Sequence, residues 1–394
     1  MDVMGIAEDS WDHVVELRRQ FHRHPETGWR EQGTQRLIEQ ELDVLGIPYV
    51  EVAGTGVIAT LVGKRGLPVI GLRADMDALP VKEETGLPFA SEYENTSHAC
   101  GHDAHMAMLL TAAKILSEHR DELKGTVRFI FQPAEELGGG AKRVAALPEV
   151  QDIDTFMAIH IWSPIPVGKI SVQAGPRMSA CDVFRLTIRG DGGHAASPET
   201  AIDPIPCAAA VISALQTIVS REISSTEAAV VSVCTLRAGT GFNVIPDEVT
   251  LTGTVRSFSH GVHAQIPQAM ERIIGGTCDA FRTTFELDYT EATPPVINDE
   301  DCSRRAEAAV RATAGDEALI DYPMIGVAED FSFFTRDKPG VLALVGGGKL
   351  EGPVYPHHHA KFDIDERGLV MGVALFVQYV LETQEEMRST ARLG

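Results

Sequence analysis

The sequence contains no C-x-x-C pair, and its six cysteines, at positions 100, 181, 207, 234, 278 and 302, are scattered without a recognisable framework. In a chain of 394 residues this excludes a disulfide-stapled mini-domain and reads as a reduced, cytoplasmic protein. The first residues, Met1-Asp2-Val3-Met4-Gly5, lack a basic start and a sustained apolar run, so no signal peptide is expected. The most apolar stretch, Leu369 to Leu381, is broken by Gln378 and is too short to span a bilayer. Positive charge is also scarce: 34 Lys and Arg face 56 Asp and Glu, a formal charge of −22. That balance argues against nucleic acid or an anionic membrane as partner. No internal repeat or low-complexity segment stands out.

With 44% hydrophobic and 23% charged residues, the chain can bury a large core without staples, and its length makes two domains the expectation. Val14, Leu17 and Phe21 share one helical face, which ends at His24-Pro25, and a second amphipathic helix over 34–45 stops at Gly46. Apolar strands at 56–62, 68–72, 126–131 and 155–161 then alternate with helices at 104–118 and 135–146. This pattern predicts an α/β layer with a mostly parallel sheet. After Met178 the pattern changes. Phe184, Leu186 and Ile188 alternate with Val183, Arg185 and Thr187, as Val249, Leu251, Gly253 and Val255 do with Thr250, Thr252 and Thr254, and the order becomes β-α-β-β-α-β. The reading is a catalytic domain formed by 1–178 and 292–394, interrupted by an inserted ferredoxin-like α+β lid at 179–291.

Chemistry-bearing residues fall in four clusters. Cys100-Gly101-His102 offers sulfur and nitrogen ligands two residues apart, although a C-x-H taken alone also suits a buried cysteine beside a polar histidine. Glu135 and Glu136 follow directly after a strand, where one acid can ligate a metal and the other act as a general base. The same pair would also suit a helix N-terminus. His160 ends an apolar strand, a position that also suits a core histidine, and His357-His358-His359 is a run of three. Ligands spread over separate strand ends and loops suggest a metallohydrolase rather than a structural zinc knot, whose ligands come in close pairs.

These residues sit in blocks that resemble the M20 metallopeptidase superfamily, specifically its amidohydrolase branch of hippurate hydrolases, N-acyl-amino-acid deacylases, indole-acetyl-amino-acid hydrolases and N-acetyl-diaminopimelate deacetylases. The blocks are Phe21-His22-Arg23-His24-Pro25-Glu26, Leu72-Arg73-Ala74-Asp75-Met76-Asp77-Ala78-Leu79-Pro80, His98-Ala99-Cys100-Gly101-His102-Asp103 and Phe131-Gln132-Pro133-Ala134-Glu135-Glu136. Further along come Gly193-His194-Ala195-Ala196, Asn243-Val244-Ile245-Pro246-Asp247, Gly253-Thr254-Val255-Arg256 and Glu329-Asp330-Phe331-Ser332.

The resemblance implies an aminopeptidase-like catalytic domain with two divalent metal ions (Mn, Zn, Co or Ni). Cys100, His102, Glu136, His160 and His358 would be their ligands, and Glu135 the general base. His358 is chosen because the ligand in the family stands four residues before the aromatic, here Phe362. The resemblance further gives His194 a contact with the substrate's carbonyl or carboxylate. It gives Asn243 and Arg256 a hold on the carboxylate, and Asp77 the orientation of a ligand. It implies a homodimer or tetramer built through the lid. Arg256 also fits the polar strand face it shares with Thr250, Thr252 and Thr254. Asp75 suits a structural role, and Asp103 and Asp330 suit helix starts. Two positions depart from the family pattern: Glu199 stands where a histidine is usual and Ala360 where a proline is usual. The implied activity is hydrolysis of the amide bond of N-acyl amino acids. The alternatives are a dipeptidase or carboxypeptidase with the same site, and a non-catalytic metal- or amino-acid-binding protein.

Overall fold

Val14, Leu17 and Phe21 are all buried on one face of a helix, and its neighbours follow from the same spacing. A computed structural model describes residues 1–391. In chain order they form α1 (Val3–Asp9), α2 (Trp11–Arg23), α3 (Gln32–Leu45), β1 (Tyr49–Val52), β2 (Gly56–Val62), β3 (Val69–Asp75), α4 (His102–Glu118), β4 (Thr126–Gln132), α5 (Gly140–Ala145), β5 (Thr155–Pro166) and β6 (Ile170–Ser171). There follow β7 (Cys181–Arg189), β8 (Gly193–His194), α6 (Pro204–Thr217), β9 (Ala229–Ala238), β10 (Val244–Ile245), β11 (Glu248–Ser257), α7 (His260–Ala280) and β12 (Thr284–Thr293). The last elements are α8 (Glu300–Ala314), β13 (Gly340–Gly348) and α9 (Arg367–Ala391).

Two compact units emerge. The first comprises Met1–Gly175, Asn298–Pro323 and the chain from Asp330 onward; the second comprises Pro176–Ile297 with Met324–Glu329. The interval 179–291 read from sequence lies inside the second unit, which is wider by a few residues at each end and takes in 324–329 as well.

The first unit is built on a seven-stranded sheet in the order β1-β2-β4-β3-β5-β13-β6. Its centre, β4-β3-β5-β13, is parallel, and β1, β2 and β6 add antiparallel edges. The central strands are buried along nearly their whole length, as expected for strands covered on both faces. α4 is apolar almost all round and is buried on nearly every side, beside β3, α2 and α9.

Two expectations change, one for a strand and one for a helix. β3 runs on through Arg73-Ala74-Asp75 instead of ending at Leu72. The helix expected over 135–146 is only α5, because Ala134 takes a left-handed φ of 52° and residues 135–138 form a turn. The acids there are therefore not a helix N-terminus. Gly140 is required beside this turn, since a Cβ there would lie 1.6 Å from the Pro133 carbonyl oxygen.

The second unit holds an antiparallel sheet in the order β9-β11-β7-β12, the strand order of a ferredoxin-like fold. Phe184, Leu186, Ile188, Val249, Leu251 and Val255 form a core with Val211 and Leu215 of α6 and Ile266 and Ile274 of α7. The segment Pro204–Glu222 is long and apolar enough to cross a membrane by length and composition. Its apolar residues Cys207, Ala208, Val211, Leu215 and Ile218 are spent on this core.

Buried charges tie the first unit together. Asp103 accepts from Arg18 at 2.8 Å and pairs with His22 at 2.7 Å, while the other ring nitrogen of His22 lies 3.2 Å from Glu83. Asp103 is thus a buried partner of two cations rather than only a helix-start residue. Burial opposes a charge on His22, but Asp103 and Glu83 outweigh it and raise its pKa. A raised folded-state pKa stabilises below the unfolded value, near ~6.5, and that contribution is lost as pH climbs through the folded value. The Tm gap between wild type and His22→Gln is therefore largest below about pH 6.5 and narrows as pH rises above it. A gap that widens with pH in a thermal melt series would contradict a charged His22.

Candidate metal centre

The site is assembled from the carboxyl ends of parallel strands, where open α/β sheets place their chemistry. Asp77 follows β3, the Glu135–Glu136 turn follows β4, and His160 lies within β5. Cys100-Gly101-His102 forms the entry to α4. Gly101 has φ 91°, and a Cβ on it would come 2.4 Å from the Ile161 side chain. Only glycine makes that bend, and the bend brings Cys100 and His102 together.

Two ligand triads result. Donor atoms of Cys100, His102 and His160 lie within 4.8 Å of one another, as do those of Cys100, Glu136 and His358. Cys100 belongs to both. His102 and Glu136 also group with Glu135. His102 Nδ1 lies 2.7 Å from the Asp77 carbonyl oxygen, to which it can donate, leaving Nε2 as the free lone pair. That Nε2 and Glu136 Oε1 are both buried and make no hydrogen bond among the described residues, although they are 3.9 Å apart. A divalent cation fits there, because an orphaned imidazole nitrogen and a buried carboxylate oxygen converge with a thiol and a second imidazole. His160 Nδ1 is similarly occupied by a carbonyl, that of Ile161, at 2.8 Å, and its Nε2 is 3.7 Å from Cys100 Sγ.

The electrostatics are those of a cation site. Burial opposes the charged form of His102, yet Asp75, Asp77 and Glu136 raise its pKa to about 10. Burial, together with Glu136, Glu135 and Asp75, pushes the Cys100 thiol well up. Burial also pushes His160 well down, helped by His105 and His357. The neighbouring acids thus favour protons on His102 and Cys100, in the place a metal would take, while His160 stays neutral.

The histidine run resolves by geometry. His358 Nε2 is 3.2 Å from Glu136 Oε1, and its backbone has the unusual φ of 66°. His357 instead stacks on Trp162 with centroids 4.3 Å apart and bonds the Ile161 carbonyl at 3.0 Å. His359 stacks on Tyr355 and accepts from the Lys361 N–H. His105 lies near the cluster but has both ring nitrogens engaged, by Asp75 at 2.6 Å and by the Ile161 N–H at 2.8 Å.

Asp77 has a definite job: its two carboxylate oxygens accept from the N–H groups of Glu135 at 2.9 Å and Glu136 at 3.2 Å. Asp75 pairs with Arg73 in a buried structural role, and Asp330 accepts from Arg73, Gln132 and the Ala141 N–H, so it is a buried charge partner rather than only a helix-start residue. Arg73, Gln132, His105 and Glu31 are site-supporting residues to which the sequence reading gave no role, although Arg73 and Gln132 lie within the quoted blocks. His105, one helical turn from His102, had a spacing signal; the others had none.

His194, Asn243 and Arg256 lie on the second unit. His194 is exposed on β8, pairs with Val244 across to β10, and accepts the Ala196 N–H at Nδ1, which leaves Nε2 carrying the proton. Asn243 is exposed and its carbonyl receives the Ala195 N–H. Arg256 is half-buried on the same polar face as Thr250, Thr252 and Thr254, where it donates to the Val255 carbonyl.

The sequence model of peptidase family M20/M25/M40 matches residues 71–382. The chain is 39% identical over 378 residues to the N-acetylcysteine deacetylase of Bacillus subtilis (strain 168), covering 94% of this chain and 97% of that one. It is 37% identical over 388 residues to IAA-amino acid hydrolase ILR1-like 2 of Arabidopsis thaliana, covering 97% and 88%. Among solved structures it resembles the YXEP protein of Bacillus subtilis, described as a dinuclear metal-binding peptidase of family M20. The TM-score is 0.84 at 34% identity, with coverage of 96% and 99%. With its metal-ligand clusters at the carboxyl ends of a mostly parallel sheet, this chain belongs to peptidase family M20/M25/M40 and is a metal-dependent hydrolase of its amidohydrolase branch.

Proposed function

We propose that the protein hydrolyses the amide bond of N-acyl amino acids, releasing a carboxylic acid and a free amino acid. The observation that carries this reading is the placement of Glu135 beside two ligand triads that share Cys100. Pure metal binding would need the triads but no extra carboxylate. Cys100, His102 and His160 would hold one cation, and Cys100, Glu136 and His358 the other. Two divalent cations held there would polarise the scissile carbonyl and lower the pKa of water toward ~7. Glu135 takes the proton from the attacking water and returns it to the amine nitrogen as the C–N bond breaks. Asp77 holds the backbone of both acids, so the base and the ligand beside it keep a fixed spacing. His194 offers its Nε2–H to a substrate oxygen, and Asn243 and Arg256 take the substrate's carboxylate. The six cysteines are all unpaired, which suits a reducing, cytoplasmic setting.

The relatives named N-acetylcysteine deacetylase and IAA-amino acid hydrolase support an acylated amino acid as substrate. The test is a side-by-side assay of N-acetyl amino acids, hippurate, indole-acetyl amino acids and dipeptides on protein reconstituted separately with Mn, Zn, Co and Ni. At least one N-acyl amino acid is expected to exceed every dipeptide by ~10-fold or more in kcat/KM. Preference for dipeptides would replace this reading with a peptidase. Absence of hydrolysis with all four metals would leave a binding protein.

A further inference from the structure

We propose that Glu31 is a positioning residue for the general base, acting through the backbone of the Ala134-Glu135-Glu136 turn. This rests on the reading of Glu135 as the base.

Glu31 is the residue that precedes α3, a position from which a side-chain oxygen can cap the free N–H groups of the helix. It makes no such cap. Glu26 does that work instead, accepting from Gly33 N and Thr34 N, both at 2.8 Å. The Glu31 side chain is thereby released to another task. It is fully buried; one oxygen accepts from the Thr55 hydroxyl at 2.7 Å and the other from the N–H of Ala134 at 2.9 Å, a residue 103 positions away.

With Asp77 receiving the next two N–H groups, three consecutive amides of the turn are each bound by a buried carboxylate. That arrangement is needed because Ala134 has φ 52°, a left-handed conformation that is strained for a non-glycine residue and persists only when its surroundings hold it. The strain falls on the residue immediately before Glu135, so releasing the Ala134 amide lets the base carboxylate swing. Bringing a second carboxylate beside Asp77 is unfavourable in a buried place, and burial raises the pKa of Glu31. Bulk hydrophobic packing would have served stability better. Glu31 also lies before the matched interval 71–382, so it belongs to the part of the chain that the family model does not describe.

The test compares Glu31→Ala, Glu31→Asp, Glu31→Gln and Glu135→Gln, each reconstituted with the same metal and corrected for folded, metal-loaded protein. Loss of positioning appears in kcat: Glu31→Ala is expected to fall ~10²-fold in kcat, with KM held within about twofold. Glu31→Asp keeps the charge but cannot reach both Thr55 and Ala134, and is expected to lose ~10-fold in kcat, which keeps the test decisive if the alanine variant does not fold. Glu31→Gln keeps one acceptor for Ala134 and is expected to recover most of the alanine variant's loss. Folded Glu31→Ala or Glu31→Asp with wild-type kcat, beside an inactive Glu135→Gln, overturns the proposal. A fully active Glu135→Gln instead overturns the assignment of the base.

Discussion

Glu135→Gln is expected to bind its full complement of metal and to lose at least ~10² of kcat. The substitution keeps the size of the side chain and removes only its ability to accept a proton. The ligand beside it is untouched, since Glu136 reaches toward His358 through its own carboxylate. The backbone of both residues is also untouched, because Asp77 holds them by their N–H groups and not by their side chains. Any loss therefore reports proton transfer and not assembly of the site. Metal analysis by mass spectrometry together with turnover of the best N-acyl amino acid checks this. Near-wild-type turnover would remove Glu135 from the reaction, and a loss of metal would move it into the ligand set.

Cys100→Ala is expected to empty both cation positions, whereas His160→Ala and His358→Ala each empty about one. The difference follows from membership: Cys100 belongs to both triads, His160 to the first and His358 to the second. The thiol's raised pKa adds a pH signature. Burial and the neighbouring acids favour its proton, so a metal must displace that proton to bind. Metal affinity of the wild type is accordingly expected to rise with pH, with proton release visible as a buffer-dependent heat in titration calorimetry. Equal metal content in Cys100→Ala and His358→Ala would show that the two positions do not share the sulfur.

Much of this centre is legible from chemistry alone. Thiol, imidazole and carboxylate at separate strand ends already indicate an open metal site, because donor types do not depend on the fold. Element order is legible too, since apolar periodicity marks α2, α4 and the alternating strands of the inserted unit whatever their neighbours. The turn at residues 134–138 is not. Its sequence suits a helix, and the left-handed Ala134 exists only because carboxylates from distant segments hold it.

Periodicity and donor chemistry alone mark the two kinds of layer, the insertion of one unit in the other and the set of residues able to bind a metal. Only the tertiary structure decided which of them converge. It directs His358 to Glu136 while His357 goes to Trp162 and the Ile161 carbonyl. It engages both nitrogens of His105 elsewhere, and it sends Glu31 to an amide 103 residues away. The physical reason is that a side chain's role depends on whether its polar atoms are already satisfied. Partners 30 or more positions distant do the satisfying, and no local pattern records them.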